Sequence, residues 1–251
     1  MPPHWDFYFC RLNDHLASVF LDLGYGQGPP PAGLSTLVYV FVPMRQPRPD
    51  GLSSREEADR LAALEDALVP ALVQGLPAAF VARATTRGHR EFYFYAQDPG
   101  RLGELLAAVF TDFSDYRCEH GTRPDPEWSH YREVLFPAPV ELQLMHNRHV
   151  LEQLRERGDD GSRARPLRHH LYFPDWKSRI AFSQWAAPRG YRCEDLPPRP
   201  EPVADKPFGL VLHHVAALPL EGINAIVSEL FAQAETGGGE YDGWETEVVQ
   251  A

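Results

Sequence analysis

The chain has 251 residues, of which 43% are hydrophobic and 24% are charged, so it can fold into one large or two ordinary domains. This composition excludes an intrinsically disordered chain. The formal net charge of −11 repels phosphate backbones, which argues against broad nucleic-acid binding and makes a basic or neutral protein partner easier to accommodate.

The cysteines and the apolar stretches indicate the compartment. Cys10, Cys118 and Cys193 are widely spaced and form no Cys-x-x-Cys pair, so we expect reduced thiols. The first residues lack the basic start and apolar run of a signal peptide, and no apolar stretch approaches the roughly 20 residues of a membrane helix. We therefore expect a cytoplasmic protein without a membrane segment.

The first unit is predicted to alternate strands and helices and to end near Pro137. Leucines at helical spacing after the cap-like Ser53-Ser54 predict a helix that ends near Gln74, and a second helix is predicted to begin at Pro99. Aromatic and alternating runs predict strands at residues 5–12, 16–23, 34–42, 79–85, 91–96, 116–120 and 128–136. Residues 121–126 are predicted to form the turn between the last two strands.

The second unit begins with a helix and then follows a β-α-β-β-α-β order. The predicted elements are helix 140–157, strand 167–173, helix 175–187, strand 191–194, proline-rich loop 197–207, strand 208–216, helix 220–235 and strand 240–249. This order is that of the ferredoxin-like fold, in which two helices cover one face of a four-stranded antiparallel sheet. We therefore predict an α+β protein of two domains, residues 1–137 and 138–251.

A short internal repeat links the two units. Residues 91–94, a predicted helix and then Tyr-Arg-Cys-Glu at 116–119 parallel residues 170–173, a predicted helix and Tyr-Arg-Cys-Glu at 191–194. The repeat favours a first domain that is also ferredoxin-like, with two helices on an antiparallel sheet.

Four stretches of the second unit resemble the regulator of ribonuclease E activity B family, from about residue 144 to the end. They are residues 154–160, 168–173, 190–193 and, above all, the Gly-Glu-Tyr-Asp-Gly-Trp-Glu-Thr run at 239–246. The resemblance implies a ferredoxin-like domain that binds ribonuclease E through its non-catalytic region. It also implies that RNA cleavage is inhibited without chemistry by the regulator itself.

The first unit is similar to the domain of unknown function 695 family, which is found fused to this regulator-like module. The similarity lies in the aromatic first strand, Val42-Pro43, the turn at residues 49–52 before the capped helix, and the Glu-Phe-Tyr-Phe-Tyr run at residues 91–95. No function follows from this similarity.

The run Tyr241-Asp242-Gly243-Trp244 is the candidate partner-binding site, and it has two interpretations. In the structural one, it enters the last strand, with Gly243 at a bulge or positive φ and Trp244 in the core. In the functional one, Asp242 and Trp244 form a rigid anchor at a partner interface, where tryptophan is a common hot spot.

His170 and His213 are the candidate metal ligands, because their strands pair in this fold. Strand alternation places only one histidine of each His-His pair on a given face, and no nearby cysteine or acidic triad completes a ligand set. We therefore expect exposed or hydrogen-bonded histidines, and no cofactor.

Several strands are apolar on both faces, such as the strand that begins at Trp5 and the one that contains residues 91–95. We expect domain–domain or subunit–subunit contact, including a homodimer, to cover the second face. The alternative is a platform on which unpaired RNA bases stack, which the acidic charge disfavours.

Catalytic motifs are missing from the sequence, which has no Gly-x-Ser-x-Gly, no phosphate-binding glycine loop and no recognisable nucleophile with its base. We predict a non-enzymatic regulator that binds a protein, with ribonuclease E as the first partner to test. The alternatives are a two-domain binding or structural protein with another partner and, behind it, a small hydrolase or an RNA-binding protein.

Overall fold

The structure is a computed structural model that describes residues 3–26, 28–197 and 205–249. Contacts between Cα atoms divide the chain into two units, Met1–Pro137 and Ala138–Ala251, which we call the N-terminal and C-terminal domains. Each contains one antiparallel sheet and helices, so the predicted α+β class is confirmed. No helix in the described ranges combines the length and the apolar character that crossing a membrane requires.

The N-terminal domain has eight principal elements. They are β1 (Trp5–Leu12), β2 (His15–Asp22), β3 (Thr36–Pro43), α1 (Arg55–Gly75), β4 (Ala78–Thr86), β5 (His89–Ala96), α2 (Leu102–Asp112) and β6 (Glu119–Pro124). A 3-10 turn at Leu23–Gly26 and a π-helical turn at Tyr131–Leu135 complete it.

The strand order of the N-terminal sheet is β1-β2-β4-β5-β3-β6, with every pair antiparallel. The part from β3 to β6 runs β-α-β-β-α-β and pairs its first strand with its third and fourth, as a ferredoxin-like domain does. The β1–β2 hairpin extends this sheet beyond β4. The N-terminal domain is therefore ferredoxin-like with an added hairpin.

Helix α1 confirms the helix that was predicted from the spacing of its leucines. Leu61, Leu64, Leu68 and Leu72 are fully buried against the sheet. Ser54 is the N-cap, as predicted, but its side chain makes no capping hydrogen bond. The buried Glu57 instead accepts hydrogen bonds from the backbone of the segment after β3, and these bonds fix the start of the helix.

The end of the N-terminal domain differs from the prediction. The strand β6 occupies most of the predicted turn, and the predicted strand at residues 128–136 contains a π-helical turn instead. The cause is Asp125, whose carboxylate accepts hydrogen bonds from the backbone N–H of Ser129 at 2.9 Å and of His130 at 3.0 Å. Such bonds satisfy the free donors of a helical turn, and Trp128 has a φ of +56° that breaks a strand.

Residues 125–136 cover the second face of the N-terminal sheet. The indole of Trp128 stacks on Tyr95 with ring centroids 4.0 Å apart, and Tyr93 lies 4.9 Å from the ring of His130. The expectation that another domain or subunit covers Tyr93 and Tyr95 is therefore wrong. The aromatic side chains that made residues 128–136 resemble a strand belong to a cover within the same domain.

The C-terminal domain has seven principal elements. They are α3 (Pro139–Glu156), β7 (Arg165–Phe173), α4 (Trp176–Ala186), β8 (Arg192–Asp195), β9 (Phe208–Ala216), α5 (Leu220–Thr236) and β10 (Glu240–Thr246). The antiparallel order is β10-β7-β9-β8, which is the predicted ferredoxin-like order with α3 added in front. The predicted proline-rich loop at residues 197–207 lies largely outside the described residues.

The internal repeat joins non-equivalent halves of the two domains. Its first copy runs through β5 and α2 to the first residue of β6, in the second half of one ferredoxin-like unit. Its second copy runs through β7, α4 and β8, in the first half of the other. Both halves are strand–helix–strand units, and this shared pattern accounts for the match.

Candidate functional site

A bulge in β10 determines where the Tyr-Asp-Gly-Trp run points. Tyr241 pairs with Leu171 and Trp244 pairs with His169, so three steps along β10 match two steps along β7. The extra residue lies at Asp242 and Gly243, where Gly243 has a φ of +125°. In a regular strand, residues three apart face opposite sides, but the bulge brings both aromatic side chains to the helix-covered face.

Trp244 and Tyr241 are consequently core residues, with 5% and 2% of their surface exposed. The indole Nε1 of Trp244 donates to Oδ1 of the buried Asn147 at 2.7 Å, and Asn147 in turn donates to Asn224 at 2.9 Å. This chain of bonds connects β10 with α3 and α5. Asp242 is the exposed side chain of the run, and contact of the run with a partner stays a prediction.

Two histidines face the same core. His169 is fully buried, and its Nδ1 lies 2.7 Å from the hydroxyl of Tyr241. Its ring stacks on that of His214 with centroids 5.0 Å apart. Burial lowers the pKa of His169 to about 3, with a further contribution from His214, and burial also lowers the pKa of His214. Both rings are therefore neutral at pH 7.

The candidate metal ligands lie on the opposite face of this sheet. Nε2 of His170 lies 3.2 Å from Glu245, whereas Nε2 of His213 lies 2.9 Å from Glu194. The two histidines thus contact separate carboxylates on different strands. Within residues 3–26, 28–197 and 205–249, no three His, Cys, Asp or Glu side chains are grouped so that they could hold a metal ion.

A buried ion pair connects the loop after α3 with the start of β7. Arg165 at the start of β7 pairs with Asp159, and both side chains are 1% exposed. Asp159 also accepts a hydrogen bond from the backbone N–H of Val249 at 2.7 Å. The guanidinium of Arg165 holds the pKa of the Asp159 carboxyl well below its usual range. In the sequence, Asp159 falls within the 154–160 stretch that resembles the regulator family.

The outer side of α4 carries two exposed apolar side chains, Trp176 and Ile180, which we call the α4 face. They are 52% and 39% exposed and lie four residues apart, hence on the same side of the helix. Asp175 caps the helix by accepting from the backbone N–H groups of Lys177 and Ser178. Sequence reasoning missed this pair, although the spacing of Trp176 and Ile180 was its visible signal.

Family models match both domains. The model described as "Family of unknown function (DUF695)" matches residues 3–136, which is more than half of the chain. The model described as "Regulator of ribonuclease activity B" matches residues 144–246. No curated protein matches the chain.

Two solved structures share weak similarity with the chain. A protein of unknown function from Galdieria sulphuraria is 12% identical, with 85% of this chain and 99% of that chain covered and a TM-score of 0.23. A protein assigned as a glycine cleavage system transcriptional repressor is 10% identical, with 85% and 98% covered and a TM-score of 0.22. The family models carry the assignment: the chain belongs to the family of unknown function DUF695 and has, at residues 144–246, a domain of the regulator of ribonuclease activity B type.

Proposed function

We propose that this protein is a non-enzymatic regulator of RNA processing that acts in the bacterial cytoplasm by binding a ribonuclease. Ribonuclease E, or a nuclease related to it, is the first partner to test. The observation that carries the proposal is the match of residues 144–246 to the regulator of ribonuclease activity B. The antiparallel order β10-β7-β9-β8 supports it, because the resemblance implies a ferredoxin-like fold for that regulator.

The α4 face is the surface we propose for the contact. Tyr241 and Trp244 lie in the core, so among the described residues of the C-terminal domain Trp176 is the exposed aromatic side chain. Tryptophan dominates many protein interfaces because it buries a large apolar area on binding. Ile180 on the next turn of α4 extends the apolar area, and the helix beneath it provides a rigid support.

Inhibition by contact requires no reacting group in the regulator. A domain that occupies a surface of the nuclease can hinder access of RNA, and the net charge of −11 keeps the regulator itself away from RNA. The full-length protein should therefore slow RNA cleavage without itself retaining single-stranded RNA in a gel shift.

The test combines binding and cleavage. Purified full-length protein is titrated against ribonuclease E by calorimetry and added to a cleavage assay with a fluorescent RNA. We expect saturable binding and a cleavage rate that falls with the bound fraction. Absence of binding to ribonuclease E, together with an unchanged cleavage rate, would contradict the proposal for this nuclease.

Surface variants locate the contact. The double substitution Trp176→Ala with Ile180→Ala should weaken binding at least tenfold, about 1.4 kcal/mol or more. Val215→Ala is the matched control, because Val215 is 68% exposed on β9. A second comparison uses Asp242→Ala: if that change weakens binding and the α4 variant does not, the contact lies at β10 and the α4 face is excluded.

A further inference from the structure

The N-terminal domain contains a cavity of about 390 Å³ on the second face of its sheet. The side chains of β3 and β5 form its floor, β6 forms one wall, and His130 of the covering segment forms another. This volume lies within the range of small-ligand sites, about 300–1,000 Å³. All of the described lining residues belong to the N-terminal domain.

The floor of the cavity is aromatic. The rings of Tyr39 and Phe41 have centroids 4.9 Å apart, and the ring of Tyr93 lies 5.9 Å from that of Phe41. An aromatic floor favours a ligand with a flat ring, because such a ring can make offset-stacked and edge contacts with these side chains. An aliphatic ligand would bind this floor less tightly.

The side chain of Arg123 provides a positive charge in the wall of the cavity. Arg123 on β6 lines the cavity and is exposed, and in the described part of the chain its guanidinium has no hydrogen bond and no ion pair. Acidic side chains outnumber basic ones in this chain, and several other arginines of the domain pair with carboxylates, including Arg45, Arg60 and Arg83. A guanidinium donates several hydrogen bonds in a planar fork that matches carboxylate and phosphate groups.

His130 supplies an uncharged ring to the cavity wall. Its Nε2 is buried and has no hydrogen-bond partner among the described residues. Burial lowers the pKa of His130 to about 4, with a further contribution from Arg123, so the ring is neutral at pH 7. The neutral ring adds no positive charge, so among the described lining residues the guanidinium of Arg123 is the cation of the cavity.

We propose that this cavity binds a planar aromatic anion. The ring of the ligand lies on Tyr39 and Phe41, its carboxylate or phosphate pairs with Arg123, and the neutral ring of His130 forms a wall beside it. Aromatic carboxylic acids and nucleoside monophosphates share this chemistry. This inference does not rest on the proposed function, because the described lining residues belong to the N-terminal domain.

The experiment titrates the full-length protein with defined probes by calorimetry and ligand-observed NMR. The aromatic acids are 4-hydroxybenzoate and indole-3-carboxylate, and the nucleotides are adenosine and uridine 5′-monophosphate. Benzyl alcohol and adenosine test the need for the anion, and inorganic phosphate tests the need for the ring. We expect one site per chain, with at least tenfold weaker binding of probes that lack either the ring or the charge. The class that binds more tightly identifies the source of the ligand.

Variants connect the binding to the cavity. Arg123→Gln should weaken the best probe at least tenfold, whereas Arg117→Gln makes the same charge change at another exposed arginine and should leave the affinity unchanged. Tyr39→Ala should also weaken binding, by removing part of the floor. The proposal is overturned if no aromatic anion binds at millimolar concentration, or if Arg123→Gln and Arg117→Gln have equal effects.

Discussion

The indole N–H of Trp244 donates to the side-chain oxygen of Asn147 at 2.7 Å, in the interior of the C-terminal domain. Asn147 has no exposed surface, and its amide group donates in turn to Asn224 at 2.9 Å. One polar side chain on α3 therefore links β10 to α5. An unpaired polar group at such a position destabilises a domain more than the bond itself stabilises it.

Replacing Asn147 should destabilise the C-terminal domain. Asn147→Ala leaves the N–H of Trp244 buried without an acceptor, which costs about 1–3 kcal/mol of the free energy of unfolding. Urea unfolding, followed through the transition of this domain, measures the change. Gln153→Ala removes an exposed amide from the same helix and should change stability by less than about 0.5 kcal/mol. Equal stability of the two variants would show that the Asn147 bond contributes little.

Gly243 should not tolerate a side chain. Its φ of +125° lies in a region that other residues rarely adopt, so Gly243→Ala should destabilise the domain by about 1–3 kcal/mol. Gly103→Ala is the control, and its expected change in stability has the opposite sign. Gly103 lies in a helix, and a Cβ there meets no atom within 4 Å. That change should stabilise by about 0.5–1 kcal/mol. Thermal unfolding of both variants decides whether the bulge requires glycine.

Acid should destabilise the C-terminal domain through His169. Because the pKa of His169 is about 3 in the folded protein and about 6.5 in the unfolded chain, the unfolded chain binds more protons between these values. Stability is therefore complete above about pH 6.5 and falls as the pH drops toward 3, by at most about 1.4 kcal/mol per pH unit for this group.

A pH series of urea unfolding checks this dependence. His169→Gln should lower stability at pH 7 but flatten the decline between pH 6.5 and 4. His213→Gln, on the opposite face of the sheet, should keep the decline of the unchanged protein. If all three proteins lose stability in parallel, other groups cause the acid sensitivity.

Asp125 should hold the covering segment on the N-terminal sheet. Its carboxylate accepts from Ser129, His130 and the hydroxyl of Tyr95, and hydrogen bonds to a charged group contribute about 1.5–3 kcal/mol each. Burial raises the pKa of Asp125, but the hydrogen bonds from Ser129 and Tyr95 outweigh it and lower the pKa to about 2.

Asp125→Ala should therefore release residues 125–136 for amide hydrogen exchange and destabilise the domain by about 3 kcal/mol. The neighbouring exposed Glu127→Ala is the control and should leave exchange unchanged. Rapid exchange confined to residues 125–136 would confirm the role of Asp125. Protection equal to that of the Glu127→Ala variant would contradict it.

Periodic segments were predictable because the period itself reflects burial. In α1, Leu61, Leu64, Leu68 and Leu72 recur at helical spacing and are buried, and β9 was predicted with the bounds that it has, Phe208–Ala216. The ferredoxin-like order of the C-terminal domain followed from the order of such elements. Local pattern was sufficient there because one face of each element contacts a single core.

The π-helical turn within residues 128–136 was not predicted, because the composition of this segment favours a strand whereas the spacing of its apolar residues favours a helical turn. Aromatic residues favour strands, but Trp128, Tyr131 and Leu135 recur every three to four residues and are all buried, as on a helical turn. The deciding interaction is the Asp125 carboxylate on the following backbone, and its strength depends on burial that a sequence does not display.

The polar contacts of the candidate site could not be predicted from the sequence either. Asn147 lies in a helix of mixed polarity, and only the fold brings it to Trp244. The two interpretations of Trp244 could not be separated without the bulge, because regular alternation would place Tyr241 and Trp244 on opposite faces. A single extra residue in β10 places Trp244 in the core, as the structural interpretation predicted, and contact of the run with a partner stays untested.

The interruption of β10 also has a consequence for assembly. This strand lies at the border of its sheet, where free backbone groups can template the addition of a strand from another molecule. The irregular register at Asp242 disturbs that template, and the exposed carboxylate of Asp242 repels the same carboxylate on an identical strand from a second molecule. This border of the C-terminal domain is thereby a poor template for fibre-like stacking of strands.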